Sequence, residues 1–322
     1  MNNSPKVSVC IPAYNAQNYI TKCIDSVISQ TYQNIEVIVL DDASTDKTEG
    51  LIKKYNDKRI KYVLNEKNLG WRGNVRKGYL TATGDFITML PVDDFLKPTF
   101  VESAVKIFCK DEMVGVWSCG NIMVDENGEK IGSQLRPKLG YIYSTEYFRY
   151  TYTMLNISPP SETMVRKKCI DLVNGAECYN GELKQFPEIL LYLKIAELGY
   201  GAYHEEQKLT IRTSRHDSLT GMYGKKAFIR NDNIKILNEF YNHKLLDDVT
   251  RKAAVNNFIY ILNNDLIFNL YKFKVKEAIN FLEFDRSILA TNSFQGEKIG
   301  YIYIIKNLIE VFMTKLKKHF KS

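Results

Sequence analysis

Two neighbouring carboxylates, Asp93 and Asp94, stand just past the apolar run of residues 86–90, and Pro98 follows them at the start of a helical pattern. Carboxylates this close repel each other unless a cation or hydrogen-bond donors relieve them. A hard divalent cation gives that relief and can also hold a diphosphate. A second acidic pair, Asp41 and Asp42, closes the apolar run of residues 35–40. Glu188 opens an amphipathic segment, and His216 lies in the polar stretch 212–218. Acids that end strands of an α/β sheet lie on the rim where such folds bind ligands. The expected chemistry is a nucleotide, a cation and a base brought to one rim.

The elements that must position these groups follow from periodicity. Residues 7–11, 35–40, 60–64 and 86–90 read as strands, the second nearly continuous in apolar residues, as for a parallel strand covered on both faces. Between them, residues 19–29 carry apolar side chains at helical spacing, Asp46 and Glu49 have capping-box spacing for a helix to Tyr55, and residues 71–81 form a third helix. This β-α-β-α alternation predicts an α/β fold with a doubly wound, mostly parallel sheet flanked by helices. Further on, the pattern predicts a helix over 100–109, a strand over 114–119, a hairpin turn at 125–128, strands at 162–166 and 209–213, and a helix over 186–198. From about Lys225 helical patterns dominate, at 234–241, 253–268, 275–284 and 301–318. The predicted division is a catalytic domain over 1–222 and an α-helical C-terminal region over 223–322.

Composition narrows the function classes. The 322 residues are 45% hydrophobic and 25% charged, ordinary for a globular chain with a sizeable core. Six scattered cysteines without a C-x-x-C pair fit buried thiols in a reducing compartment better than a disulfide framework or a zinc site. The N-terminus runs straight into a strand without a signal peptide pattern, and no run of about 18 apolar residues occurs. These features predict a cytoplasmic protein. The net charge of +7 is concentrated near the end, in Lys315, Lys317, Lys318 and Lys321. That basic, aromatic stretch, 299–322, has three readings: peripheral contact with the inner face of the cell membrane, docking on the core, or a homo-oligomer contact. Nucleic acid is not an expected partner.

The ordered motifs carry a resemblance. VSVCIPAYN over 7–15, SQTY over 29–32, IEVIVLDDASTD over 35–46, NLG over 68–70 and GDFITMLPVDD over 84–94 occur in the order found in family-2 glycosyltransferases. Several ordered motifs at matching spacing are far more specific than any one alone. The likeness covers roughly residues 6–220. It implies a GT-A fold, an inverting transfer from a nucleotide-diphosphate sugar (a UDP-sugar preferred) to a glycan or lipid-linked acceptor, and Mn²⁺ or Mg²⁺ as cofactor. It implies roles for Pro12, Tyr14 and Asp42 at the nucleobase, with Asp41 beside them, and for Arg72 at the base or diphosphate. Asp93 and Asp94 match the metal-binding motif, with Asp93 also a donor contact, and Pro91 takes the place of a further Asp common in relatives. Glu188 aligns with the general base, Pro187 replaces the acid before it, and Glu182 is the alternative base. His216 and Arg215 resemble a late segment that completes the metal shell and meets the diphosphate.

Other classes meet specific obstacles. A nucleotidyltransferase or a dinucleotide oxidoreductase carries a glycine-rich loop after its first strand, whereas Pro12-Ala-Tyr-Asn15 stands here. A catalytically silent nucleotide-sugar binder stays open through Pro91 and Glu188, which depart from the motif. The sugar and the acceptor are not encoded in any recognisable spacing.

Overall fold

The computed structural model describes residues 4–136, 139–154, 159–179, 187–215, 236, 239–240, 242–251 and 253–254. The predicted site residue His216, the alternative base Glu182, the 299–322 stretch and nearly all of the C-terminal helical patterns lie outside the described residues. The chain divides into two compact units, Met1–Thr151 with Asn156–Gly224, and Tyr152–Leu155 with Lys225–Ser322. In the second unit, Asp247 Oδ1 accepts the Thr250 amide at 2.8 Å and its hydroxyl at 2.7 Å, forming a local helical turn.

The first unit is built on one sheet. Its strands are β1 Val7–Ala13, β2 Ile35–Asp41, β3 Ile60–Leu64, β4 Phe86–Met89, β5 Phe95–Leu96, β6 Val114–Val124, β7 Lys130–Gln134, β8 Gly140–Ile142, β9 Thr163–Arg166 and β10 Gly201–Thr213. The helices are α1 Ile20–Ile28, α2 Thr48–Ile52, α3 Gly70–Thr81, α4 Phe100–Lys110, α5 Ser144–Met154, α6 Lys167–Leu172 and α7 Pro187–Glu197. The strand order is β3-β2-β1-β4-β9-β6-β10-β5, with β7 paired to β6 and β8 to β10. β1, β2, β3 and β4 are parallel neighbours, and β6 and β10 are parallel to each other. β9 lies antiparallel between β4 and β6. The α/β, mostly parallel sheet expected from the alternation is therefore present.

Burial explains why these segments take these forms. Every residue of β1 is buried, as a strand covered on both faces must be. α1 buries Ile20, Cys23, Ile24 and Val27, the one-sided stripe of an amphipathic helix. Each fully buried aliphatic side chain of this size contributes about 1.5–3 kcal/mol of gross apolar burial. Phe86 and Phe108 stack at 4.3 Å between ring centroids, and Phe100 meets Trp117 edge-on at 5.1 Å, which fastens α4 to the sheet. Gly84 enters β4 so close to β1 that a Cβ there would stand 2.7 Å from the Ser8 amide nitrogen. Among the described residues all six cysteines are free, Cys109 exposed and the rest buried.

Three local expectations need correction. The capping box at Asp46 and Glu49 is not formed: α2 starts after Lys47 and spans only Thr48–Ile52. Asp46 instead spends its carboxylate on the Thr48 amide and hydroxyl and on the Gln17 amide, a local turn that competes with capping. The strand expected over 114–119 continues to Val124, because β7 and β10 pair with its second half. Glu162, expected to begin a strand, belongs to a 3₁₀ turn, Pro160–Glu162, and β9 begins at Thr163. No helix among the described residues is long and apolar enough to cross a membrane.

Candidate active site

β2, β1 and β4 are adjacent and parallel, so the loops that leave their C-terminal ends share one rim. β1 delivers Pro12 and Tyr14, β2 delivers Asp41 and Asp42, and β4 leads into Asp93 and Asp94. The first two loops are knitted together. The Asp42 amide donates to Ala13 O at 2.8 Å, the Asn15 amide to Ser44 Oγ at 2.9 Å, and the Thr45 amide to Asn15 Oδ1 at 2.8 Å. Asn15 and Ala43 both sit at positive φ, 47° and 60°. For Ala43, between Asp42 and Ser44, that left-handed backbone is strained and must be held by its surroundings.

The two acids of the β2 loop have different surroundings. Asp41 is fully buried, Oδ1 accepting the Ser44 amide at 2.9 Å and Oδ2 the Tyr62 hydroxyl at 2.8 Å. Burial, then the hydrogen bond to Asp41, pushes the Tyr62 phenol above its ordinary range. Asp42 accepts Asn65 Nδ2 at 2.7 Å and the Leu69 amide at 2.8 Å, both on Oδ1. No described residue donates to its Oδ2. Below it, Asn65 Nδ2 also reaches Asn74 Oδ1 at 3.1 Å, Lys77 Nζ donates to Asn65 Oδ1 at 2.5 Å, and Asn74 Nδ2 donates to Leu40 O at 2.8 Å. This polar bed fixes one Asp42 oxygen and leaves the other for a ligand N–H. Tyr14 is half exposed beside it, at 51%. Arg72 lies in the first turn of α3, partly buried.

The second acidic pair is held by the end of β10. The Thr213 amide donates to Asp94 Oδ1 at 3.1 Å, and the Thr213 hydroxyl to Asp93 O at 2.5 Å. Arg215 Nη1 lies 3.5 Å from Asp93 Oδ2, and its guanidinium stands 4.8 Å from the Tyr19 ring centre. Arg212 Nε lies 3.8 Å from Asp94 Oδ2, while its Nη1 is 3.5 Å from Glu162 Oε1. Asp94 is 5% exposed. Burial, then the neighbouring Asp93 charge, pushes its carboxyl up to about 7, against the pull of Arg212 and the Thr213 amide. Asp94 is thus held beside a second carboxylate, which disfavours its charged form. Two hard oxygen donors in that condition fit a divalent cation. No group of three or more His, Cys, Asp or Glu side chains suited to an ion occurs among the described residues. The pair fits such an ion only when other donors, such as diphosphate oxygens and water, complete its shell.

Glu162 carries no signal of its role in sequence. It is fully buried, paired with Arg136 Nη2, and accepts Asn121 Nδ2 at 2.9 Å. Burial raises its carboxyl, opposed by Arg136 and then Arg212. Through Arg212 it is tied to Asp94. Asn65, Asn74, Lys77 and Arg136 were equally illegible, because each role depends on partners distant in the chain.

Glu188 is in the first turn of α7, 7% exposed. Its charge is felt by the buried phenols of Tyr79, Tyr179 and Tyr192, which burial already pushes up. Tyr79 and Tyr179 are in ring contact at 5.3 Å, so Glu188 belongs to a surround formed by α3, α7 and the turn Gly175–Tyr179. The geometry therefore gathers Asp42, Tyr14, Asp93, Asp94 and Arg215 on strand ends, with Glu188 on a separate helix.

The chain belongs to glycosyl transferase family 2, whose family model matches residues 8–172. It is 27% identical over 308 residues to an uncharacterized glycosyltransferase of Haemophilus influenzae, covering 88% of this chain and 92% of that protein. It is 29% identical to the hyaluronan synthase of Pasteurella multocida over 80% of this chain, and 30% identical to the chondroitin synthase of Escherichia coli over 73% of it. The chain spans only 26% and 32% of those two synthases. Among solved structures it is similar to S. aureus TarS 1–349 in complex with UDP-GlcNAc, with a TM-score of 0.66, 20% identity, and 86% and 79% of the two chains covered. It is also similar to the mannosyltransferase PcManGT of Pyrobaculum calidifontis in complex with GDP-Man and Mn²⁺, with a TM-score of 0.57, 15% identity, and 98% and 89% covered. These likenesses establish the GT-A fold.

Proposed function

We propose that this family-2 glycosyltransferase moves a sugar from a nucleotide-diphosphate sugar, preferably a UDP-sugar, to a hydroxyl of a glycan or lipid-linked acceptor in polysaccharide synthesis, with inversion. The observation that carries the reading is the unengaged Oδ2 of Asp42 on the same rim as the adjacent carboxylates Asp93 and Asp94, the latter oriented by the Thr213 amide. One acid reads a base N–H, and the other pair meets a cation on the diphosphate. The UDP preference is supported by the UDP-GlcNAc complex of TarS, and the acceptor class by the names of the two synthases.

In this reading Tyr14 stacks on the nucleobase, Pro12 lines its edge, and Asp42 accepts its N–H. Asp41, with both oxygens occupied, holds the loop beneath. Arg72 and Arg215 face the diphosphate, and Arg215 exchanges Asp93 for phosphate oxygens, a geometry that guanidinium favours. Asp93 and Asp94 would hold Mn²⁺ or Mg²⁺, with His216 as a further ligand, and the ion would neutralise charge on the leaving diphosphate. Glu188 takes the proton of the acceptor hydroxyl as that oxygen bonds to the anomeric carbon and the diphosphate departs. The proposal includes a catalytic domain over 1–222, a helical region over 223–322, and a cytoplasmic location with peripheral membrane contact through 299–322.

A panel of nucleotide sugars with and without Mn²⁺ tests the reading by thermal stabilisation, since a ligand of the native state raises its apparent stability. One UDP-sugar should stabilise the chain in a Mn²⁺-dependent manner and be hydrolysed slowly. A chain stabilised by none of them does not have this function.

A further inference from the structure

The stretch SQTY over 29–32 has no role in the site described so far. We propose that Gln30 is a positioning residue for the acid pair, gripping the backbone that follows Asp94; this rests on reading Asp93 and Asp94 as the cation site. Gln30 leaves the end of α1 and is 1% exposed. Its Nε2 donates to Ser26 O at 2.9 Å and to Lys97 O at 2.8 Å, and its Oε1 accepts the Val101 amide at 3.0 Å. Both amide protons and the carbonyl are thus committed to main chain. Val101 lies in the first turn of α4, where amides have no partner within the helix. Gln30 supplies that partner from outside.

The neighbours of Gln30 hold the same segment. The Thr31 amide donates to Pro98 O at 2.9 Å, and its hydroxyl to Glu102 Oε2 at 2.8 Å. Ser26 Oγ accepts the Leu96 amide at 3.2 Å, and Lys22 Nζ stands 4.2 Å from the centre of the Phe95 ring. On the other side, β10 pairs with Phe95 and Leu96, and the Lys97 amide donates to Leu209 O at 2.8 Å. Residues 95–97 are therefore held from two sides, by α1 and its following turn and by β10. Glutamate cannot supply the two donors and methionine supplies none, so the grip is specific to glutamine. A shift of about 1 Å in a group that orients a reacting centre can cost two orders of magnitude in rate. The Gln30 grip begins three residues beyond Asp94, at Lys97, and so acts on that position.

Gln30→Met and Gln30→Glu separate positioning from mere stability. In the cation-free chain, hydrogen exchange at the Val101 and Leu96 amides should quicken at least tenfold, with exchange at Asn65 and Leu69 unchanged. The Mn²⁺ concentration that half-saturates the chain with UDP, followed by electron paramagnetic resonance of free Mn²⁺, should rise about tenfold. Affinity for uridine, which lacks the diphosphate, should stay at the wild-type value. A purely structural role moves both affinities together or neither, and either result overturns the proposal. If the Gln30 variants do not fold, Thr31→Val takes their place: a smaller Mn²⁺ shift supports the grip, and wild-type values overturn it. A wild-type chain that binds no Mn²⁺ with UDP defeats the cation reading instead, and the exchange rates alone then decide the grip.

Discussion

The Thr213 amide donates to Asp94 Oδ1 at 3.1 Å, across 119 positions of sequence. The end of the longest strand thereby fixes the acid that β4 projects, and the same residue's hydroxyl holds the Asp93 carbonyl. Asp94 is accordingly a buried carboxylate oriented by backbone and placed beside a second acid, which defines what its replacement should do.

Asp94→Asn keeps the acceptor for Thr213 and removes one of two repelling charges. The cation-free melting temperature should hold or rise, while the added stability conferred by Mn²⁺ with UDP is lost. Stabilisation by a ligand at 100 times its Kd is about 2.7 kcal/mol, large enough to read by calorimetry. A variant that still gains that increment would place the cation elsewhere.

Asp42→Asn keeps the Oδ1 acceptor for Asn65 and Leu69 and replaces the oxygen left for ligand by a donor. Hydrogen bonds to a charged group contribute about 1.5–3 kcal/mol, so uridine affinity should fall roughly 10- to 100-fold. Tyr62→Phe, which frees Asp41 Oδ2, should cost about 1 kcal/mol of stability and leave uridine affinity alone. Titration calorimetry on both variants distinguishes the two acids.

Glu188→Gln removes the proton acceptor with little change of shape. Turnover should drop by about 10²- to 10⁴-fold, the usual contribution of a general base, with UDP affinity at its wild-type value. Equal turnover in the variant would assign the base to another residue.

Glu36 offers a pH test independent of the site. Burial raises its carboxyl, but donors outweigh that effect: Lys6 Nζ at 2.9 Å, Ser8 Oγ at 2.5 Å, and the Thr83 amide at 2.8 Å hold it at about 2. The folded value lies below the unfolded one, so its stabilisation is full above about 4.5 and is lost as pH falls toward 2. After allowance for solvent screening the increment is on the order of 1 kcal/mol. Glu36→Gln should unfold more readily than wild type in urea at pH 7, and the gap should narrow as pH falls below about 4.5 and close only at about pH 2.

Legibility in the sequence followed the physics of each element. β1, β2 and β4 announce themselves because strands covered on both faces are continuous apolar runs. β5 has two residues, too few to show any period. β9 was legible as a strand to within one residue, but its antiparallel place between β4 and β6 depends on long-range pairing that a local pattern does not carry. β10 begins at Gly201, eight residues before the strand expected at 209–213; its first half carries His204, Glu205 and Glu206 and shows no apolar run, yet it pairs with β8 and β6. The strand-end placement of Asp42, Asp93 and Asp94 was legible because each follows a continuous apolar run. Glu162 and Arg212 were not, since a charge held by partners 26 to 118 positions away looks in sequence like any surface charge.

The arrangement of strands also sets a timetable. β1 to β4 pair among themselves within residues 7–89, whereas the braces on the acid pair come from residues near 213. At about 5–20 residues per second, a ribosome needs roughly ten seconds to make the intervening chain. The nucleotide half can thus be folded while Asp93 and Asp94 still wait for β10, steadied in the interval from the side of α1.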